Sequence, residues 1–278
     1  MTSPFHLTTK GVFKDTVAAC LRFGLSELGF DVGVSDYDLW PGVPTVIFTP
    51  FDAAGWDKIP SDVIILNLEP LDTPAPWIKP LYLEQLGRHR VWDYSLANIE
   101  WMRGNGINPD ARWLRLGWSP GVPRIPVVAQ QDIDVLFFGS LSPRRVALLE
   151  TMRATGLTVA IVNRVYGEAL HAQIARAKVI VHINFFETRT FEMVRLSYLL
   201  PGGKAVVVEC AEGCGEPDLC DALVAVPYEE LSDACRRLVA DHDRRKALED
   251  SARRIFTARS QADFLRPVLE ASGIALPS

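Results

Sequence analysis

Residues 179–209, VIVHINFFETRTFEMVRLSYLLPGGKAVVVE, set Asn184, Glu187, Glu192, Arg195 and Glu209 around two apolar runs. The runs read as buried strands, and in an open parallel sheet ligands bind in the crevice beyond the carboxyl ends of the strands. Polar residues that close such runs are placed to meet a ligand. A carboxylate suits pairs of ribose or hexose hydroxyls, and a guanidinium suits phosphate oxygens.

The turn Phe138-Gly139-Ser140 is a candidate phosphate site, because glycine lets backbone approach a ligand and the following helix start presents free N–H groups. Arg144 falls in the first turn of that helix, where a cation opposes the helix dipole. A bound diphosphate would repair the conflict, each charge-assisted contact contributing roughly 1.5 to 3 kcal/mol. Arg145 is expected to face solvent. Asn163 and Asn184 follow the next two strands and would share the edge of Gly139, with turn formation as the competing role.

Other readings stand beside these. Glu187 also suits the start of a helix, and Glu192 with Arg195 also suits a surface pair worth a few tenths of a kcal/mol. His182 reads as a satisfied core histidine within a strand, and Lys204 as solvated. In the first half, Glu69 closes an apolar run over 63–68, Asp93 or Ser95 caps a helix, and His6 lies in a short strand.

Around these residues, strands and helices alternate. Strands are predicted at 5–8, 31–35, 45–49, 63–68, 90–92 and 112–116, with helices at 15–28, 76–86 and 95–104. The proline-spaced stretch 120–131 reads as a linker. A second series follows, with strands at 134–138, 157–162, 178–183, 205–209 and 223–226. Helices are predicted at 143–156, 167–175, across Glu192 and Arg195, and at 228–241, 244–256 and 262–271. Near-continuous apolar strands alternating with helices predict an α/β fold of two doubly wound parallel sheets.

Composition narrows the partners. The chain has 278 residues, 48% hydrophobic content and a formal net charge of -5. A broad nucleic-acid footprint is not indicated. Five cysteines, none in a C-x-x-C pair, suggest neither a disulfide framework nor a zinc site, and fit a reducing cytoplasm. No apolar run reaches the length of a membrane span. A dinucleotide-dependent oxidoreductase is disfavoured, since no strand leads into G-x-G-x-x-G.

The segments FFGSLSPRR (137–145) and YGEALHAQIARAKVIVHINFFETRTFEMVRLSYLLPGGKAVVVE (166–209) resemble the donor-binding half of bacterial GT-B glycosyltransferases, close to the spore-coat maturation type. LNLEPL, VWDYSLANIEWM and LRLGWSPG resemble segments of the preceding half. The resemblance implies Rossmann-like domains facing a central cleft: an acceptor-side domain at 1–124, a nucleotide-sugar domain at 132–261, and a final helix at 262–278 packing back on the first. It implies a hexosyltransferase that takes a nucleotide diphosphate-sugar, favoured as a UDP-sugar, to a small-molecule, peptide or glycan acceptor, with no metal and no cofactor.

By similarity, Gly139, Ser140 and Arg144 would meet the diphosphate, Glu187 the donor sugar, and Glu192 to Arg195 the ribose or phosphates. Asn163, Asn184 and Glu209 complete the donor set. Many relatives carry an acid five residues before the glycine that precedes the second strand; here that position is Tyr198, so the ribose contact falls to Glu192 or Glu209. For an inverting reaction Glu69 is the first candidate base, followed by Asp93 and His6. A non-catalytic nucleotide-sugar or carbohydrate-binding protein is the alternative.

Overall fold

The computed structural model describes residues 3–8, 15–36, 38–40, 42–49, 59–122, 124–211 and 213–277. The chain divides into two compact units, residues 1–122 with 259–278, and residues 123–258. In chain order the first contains β1 (Ser3–Thr8), α1 (Asp15–Glu27), β2 (Phe30–Ser35), β3 (Thr45–Phe48), β4 (Ile64–Asn67), α2 (Pro80–Arg88), β5 (Arg90–Asp93), α3 (Leu96–Gly104) and β6 (Arg112–Trp113). The second contains β7 (Ile133–Phe138), α4 (Pro143–Ala154), β8 (Val159–Val162), α5 (Gly167–Arg176), β9 (Ala177–His182), α6 (Met193–Leu199), β10 (Ala205–Glu209), β11 (Val224–Val226), α7 (Leu231–Ala240) and α8 (His242–Thr257). The last helix, α9 (Gln261–Ala271), belongs to the first unit.

Both sheets are parallel. The first has the strand order β2-β1-β3-β4-β5-β6 and the second β11-β10-β9-β7-β8. All of β3, β4 and β10 is buried, as apolar strands covered on both faces require. In each sheet the chain starts near the middle, winds one way, then returns to wind the other. The reversal lies between β1 and β3 in the first sheet and between β7 and β9 in the second, and a crevice opens there beyond the carboxyl ends. Segments 9–14 and 50–58, which follow β1 and β3, lie outside the described residues.

Several boundaries differ from expectation for local reasons. The helix expected at 76–86 starts later, with Pro80 in its first turn, where a missing N–H costs nothing. The strand expected at 112–116 pairs only over Arg112–Trp113. Because β4 ends at Asn67, Glu69 lies two residues beyond the ladder rather than directly on its end.

Two chemical expectations are also overturned. Lys204 is buried, not solvated: its Nζ donates to the carbonyls of Ala177 (2.7 Å) and Ala175 (3.5 Å). Burial pushes its pKa down to about 8. Cys214 and Cys220 are disulfide-bonded, because the short 3-10 turn at Pro217–Leu219 folds the loop back and brings their Cα atoms to 5.2 Å. Gly215, inside this loop, lies against the ring of Phe191 with no room for a Cβ.

The tail is integral to the first unit. Gln261 Oε1 accepts from Gly117 N (2.8 Å), and Trp118 and Gln261 exchange backbone bonds with their neighbours, Trp118 N to Arg259 O (2.7 Å) and Gln261 N to Trp118 O (3.0 Å). At Gly24 of α1 an added Cβ would stand 2.9 Å from Leu265 of α9, so glycine permits this close helix approach.

Asp93, at the end of β5, is fully buried and organises the neighbouring loops. Its carboxylate accepts from Asn67 Nδ2 (2.7 Å), Ser95 N (2.8 Å) and Asn98 Nδ2 (3.1 Å). Ser95, not Asp93, caps α3, through Asn98 N. The same two asparagines reach the backbone carbonyl of Glu69, at 2.9 and 2.8 Å, and Tyr82 Oη donates to Asn67 Oδ1 (2.7 Å). Burial pushes Asp93 up to about 7 from 3.8, against the opposing hydrogen bonds. The folded state therefore holds this proton more tightly than the unfolded chain, so the contribution to stability is present at acid pH and is lost as pH rises towards 7. We expect the stability of the wild type relative to Asp93→Asn to fall between pH 5 and pH 7, by at most about 1.4 kcal/mol per pH unit, in urea titrations at each pH. A pH-independent difference would refute the buried acid.

Candidate functional site

The crevice of the second sheet opens between the ends of β7 and β9. Gly139 follows β7 with φ +132°, a conformation open to glycine, and its N–H donates to Val162 O at 2.9 Å. A Cβ at this position would stand 3.1 Å from Arg195 Nη2, so the glycine makes room for a guanidinium. Ser142 caps α4 by accepting from Arg145 N (3.4 Å), which directs the helix start to the same edge.

Arg144 lies in that first helical turn and does not point into bulk water. Both its terminal nitrogens donate to Glu209, Nη1 at 2.7 Å to Oε2 and Nη2 to Oε1, and Nη1 also reaches Asn184 O (3.3 Å). Its guanidinium lies 3.8 Å from the ring centre of Tyr228, whose hydroxyl donates to Arg144 O (2.8 Å). Glu209 accepts further from Asn184 N at 2.8 Å. The conflict with the helix dipole is thus met by a carboxylate from the end of β10.

Arg145, expected in solvent, is buried at 4% exposure. Its Nε donates to Ile183 O (2.9 Å) and its Nη1 to Ser140 O (2.7 Å), so the long side chain satisfies carbonyls beneath the turn. Burial, then the charge of Arg195, lowers its pKa to about 9, which leaves it charged near neutrality.

His182 ends β9 and is more than a core histidine. Its Nδ1 stands 2.8 Å from Arg195 Nη1 and its Nε2 3.0 Å from Asn184 Oδ1. A guanidinium only donates, so Nδ1 accepts, and the proton on Nε2 is donated to Asn184. Burial drives the His182 pKa down to about 3, and the ring is neutral. Glu192 is the N-cap of α6, accepting from Arg195 N (3.3 Å), with Oε2 3.6 Å from Arg195 Nη1. Burial alone would raise its pKa; Arg195, by its charge and its backbone N–H, and Arg145 outweigh that and hold it below the usual value. Arg144, Arg145 and Arg195 face Glu192 and Glu209, and Glu187 adds a third negative charge from the exposed loop, so the charges of the cluster balance.

The structure therefore brings Gly139, Arg144, Asn184, Glu192, Arg195 and Glu209 together. Ser140 and Asn163 are exposed at the same edge, Asn163 directly after β8. Glu187 is exposed in the loop after Asn184, and its charge acts on Arg144. Tyr198 is half-buried near Phe138, with ring centres 6.4 Å apart. In the first unit, Glu69 is half-buried and accepts from Trp77 Nε1 (3.2 Å), while Asp93 is enclosed with its oxygens occupied. His6 is buried on β1, stacked on Trp40 at 4.3 Å and bonded to Ser35 Oγ at 2.9 Å. Sequence reasoning missed His182 and Arg145 as parts of the site; the position of His182 before the Asn184 loop was the available signal. Among the described residues, no group of three or more His, Cys, Asp or Glu could hold a metal ion. No helix among them is long and apolar enough to cross a membrane.

Two parallel α/β units of this topology, together spanning the chain, define the GT-B fold of glycosyltransferases. Solved structures with this fold include AviGT4, a glycosyltransferase involved in avilamycin A biosynthesis, at 16% identity and TM-score 0.56, covering 97% of each chain. HepE from Anabaena, solved with UDP and glucose, matches at 12% identity and TM-score 0.61, covering 96% of this chain and 99% of its own. A putative UDP-N-acetylglucosamine 2-epimerase from Listeria monocytogenes matches at 10% identity and TM-score 0.52, covering 100% of this chain and 99% of its own. No family model matches the sequence, and comparison with curated proteins finds no match.

The geometry predicts strong coupling between Arg144 and Glu209. Arg144→Ala leaves a carboxylate of 9% side-chain exposure without its main partner, and is expected to destabilise by about 2 to 4 kcal/mol in urea unfolding. Adding Glu209→Gln should recover part of that loss, whereas additive losses would show the two side chains to be independent.

Proposed function

We propose that this chain is a glycosyltransferase of the hexosyltransferase class, moving a sugar from a UDP-sugar to an acceptor hydroxyl held by the first unit. The observation that carries the reading is Arg195 lying against Gly139 at the reversal of the second sheet. A guanidinium and backbone N–H groups at the start of α4 converge where an anionic ligand binds in such sheets. That HepE and AviGT4 share the fold supports the same reading.

In this reaction the bond between the anomeric carbon and the diphosphate breaks, and negative charge grows on the leaving phosphate. Contacts that strengthen as the charge appears lower the barrier. Arg195 and the backbone N–H groups at the start of α4 are placed for this, with Arg144 behind them if it exchanges Glu209 for phosphate. Glu187, the exposed acid of the Asn184 loop, is assigned to the donor sugar, and the ribose to Glu192 or Glu209. For an inverting reaction Glu69 is the base, since Asp93 already holds three donors. In this proposal Arg195 and, on exchange, Arg144 meet the diphosphate, and the reaction is metal-independent.

Isothermal titration with UDP, and release of UDP from UDP-glucose with excess EDTA, test this. Arg195→Ala should weaken UDP binding roughly tenfold or more, and a wild type that does not bind UDP would end the proposal. Glu69→Gln should lower turnover by about 10² or more with UDP affinity unchanged; undiminished turnover removes Glu69 from the mechanism. Identifying the product separates transfer from epimerisation and from binding alone.

A further inference from the structure

Arg195 has a long side chain with many rotamers, and a phosphate contact is strong only where the guanidinium is already in place. Glu192 Oε2 lies 3.6 Å from Nη1, and the Phe138 ring centre lies 5.3 Å from the guanidinium carbon; neither fixes the fork as tightly as a direct hydrogen bond. The short bond to Arg195 Nη1 comes from His182 Nδ1, at 2.8 Å. Through Nε2 the same ring bonds Asn184 Oδ1, while Asn184 N and O meet Glu209 and Arg144. One buried imidazole thus joins the two guanidinium groups of the crevice edge into a continuous chain.

We propose that His182 is a positioning residue that holds Arg195 over the Gly139 turn by accepting its N–H. This rests on the reading of the crevice as a UDP-sugar site. A residue needed only to fill the end of β9 would require shape, not an acceptor at one ring position. His182 requires the acceptor nearer the backbone, and a change of side chain that keeps this atom keeps the function.

Three variants of the full chain separate these cases. In His182→Asn the amide oxygen falls where Nδ1 stands and still accepts from Arg195. In His182→Gln the amide reaches the place of Nε2, keeps the bond to Asn184 and loses the one to Arg195. His182→Leu has neither. We expect UDP affinity within about threefold of wild type for Asn, and roughly tenfold weaker for Gln and Leu, by isothermal titration with thermal midpoints measured in parallel. Equal affinities for Asn and Gln, undiminished affinity for Leu, or affinities that merely follow the thermal midpoints would overturn the inference while leaving UDP binding intact. A wild type that does not bind UDP removes the underlying site reading as well.

Discussion

The pairing of Arg144 with Glu209 sets the geometry of the second unit's carboxyl edge. An ionised group taken out of water without a partner costs several kcal/mol, so each of these residues constrains the other. Glu209 ends β10, Arg144 starts α4, and Asn184, which donates its N–H to the same carboxylate, follows β9. Three segments distant in sequence are thereby fixed at one point. Tyr228, from the segment after β11, closes the arrangement by stacking on the guanidinium and bonding the Arg144 carbonyl.

This has a chemical corollary for the acids. Glu209 already accepts three donors and Glu192 caps α6 beside Arg195, so both carboxylates serve first to hold cations in place. Glu187, by contrast, is exposed. The charges that would face a diphosphate are thus balanced nearly to neutrality within the protein. That balance limits self-repulsion among three neighbouring arginines.

Much of the architecture was legible because its signal is local. Near-continuous apolar runs marked the buried strands, Ser142-Pro143 marked the start of α4, and Gly139 marked a turn with positive φ. What sequence could not disclose is where long polar side chains end. Arg145 and Lys204 look solvated by residue type, yet both reach inward to backbone carbonyls. The partner of Arg195 stands thirteen positions earlier on another element, and the helix-to-strand contact that joins them is not written in either local pattern. The Cys214–Cys220 bond depends likewise on a turn geometry that spacing alone does not fix. Asp93 was legible as a strand-end carboxylate but not as a hub, since Asn67 reaches it from a neighbouring strand while Ser95 and Asn98 come from the start of α3.

The hydrogen bonds of Gln261 to Gly117 and Trp118, and the seating of Leu265 against Gly24, carry a topological consequence. The second unit is, in covalent terms, an insertion into the first, entered once at 122/123 and left once at 258/259. It can be cut out as one uninterrupted polypeptide. The first cannot: a fragment ending at 122 would lack α9 and leave the Gly24 side of α1 uncovered. During synthesis the earlier unit therefore completes its core only after the later one has been made.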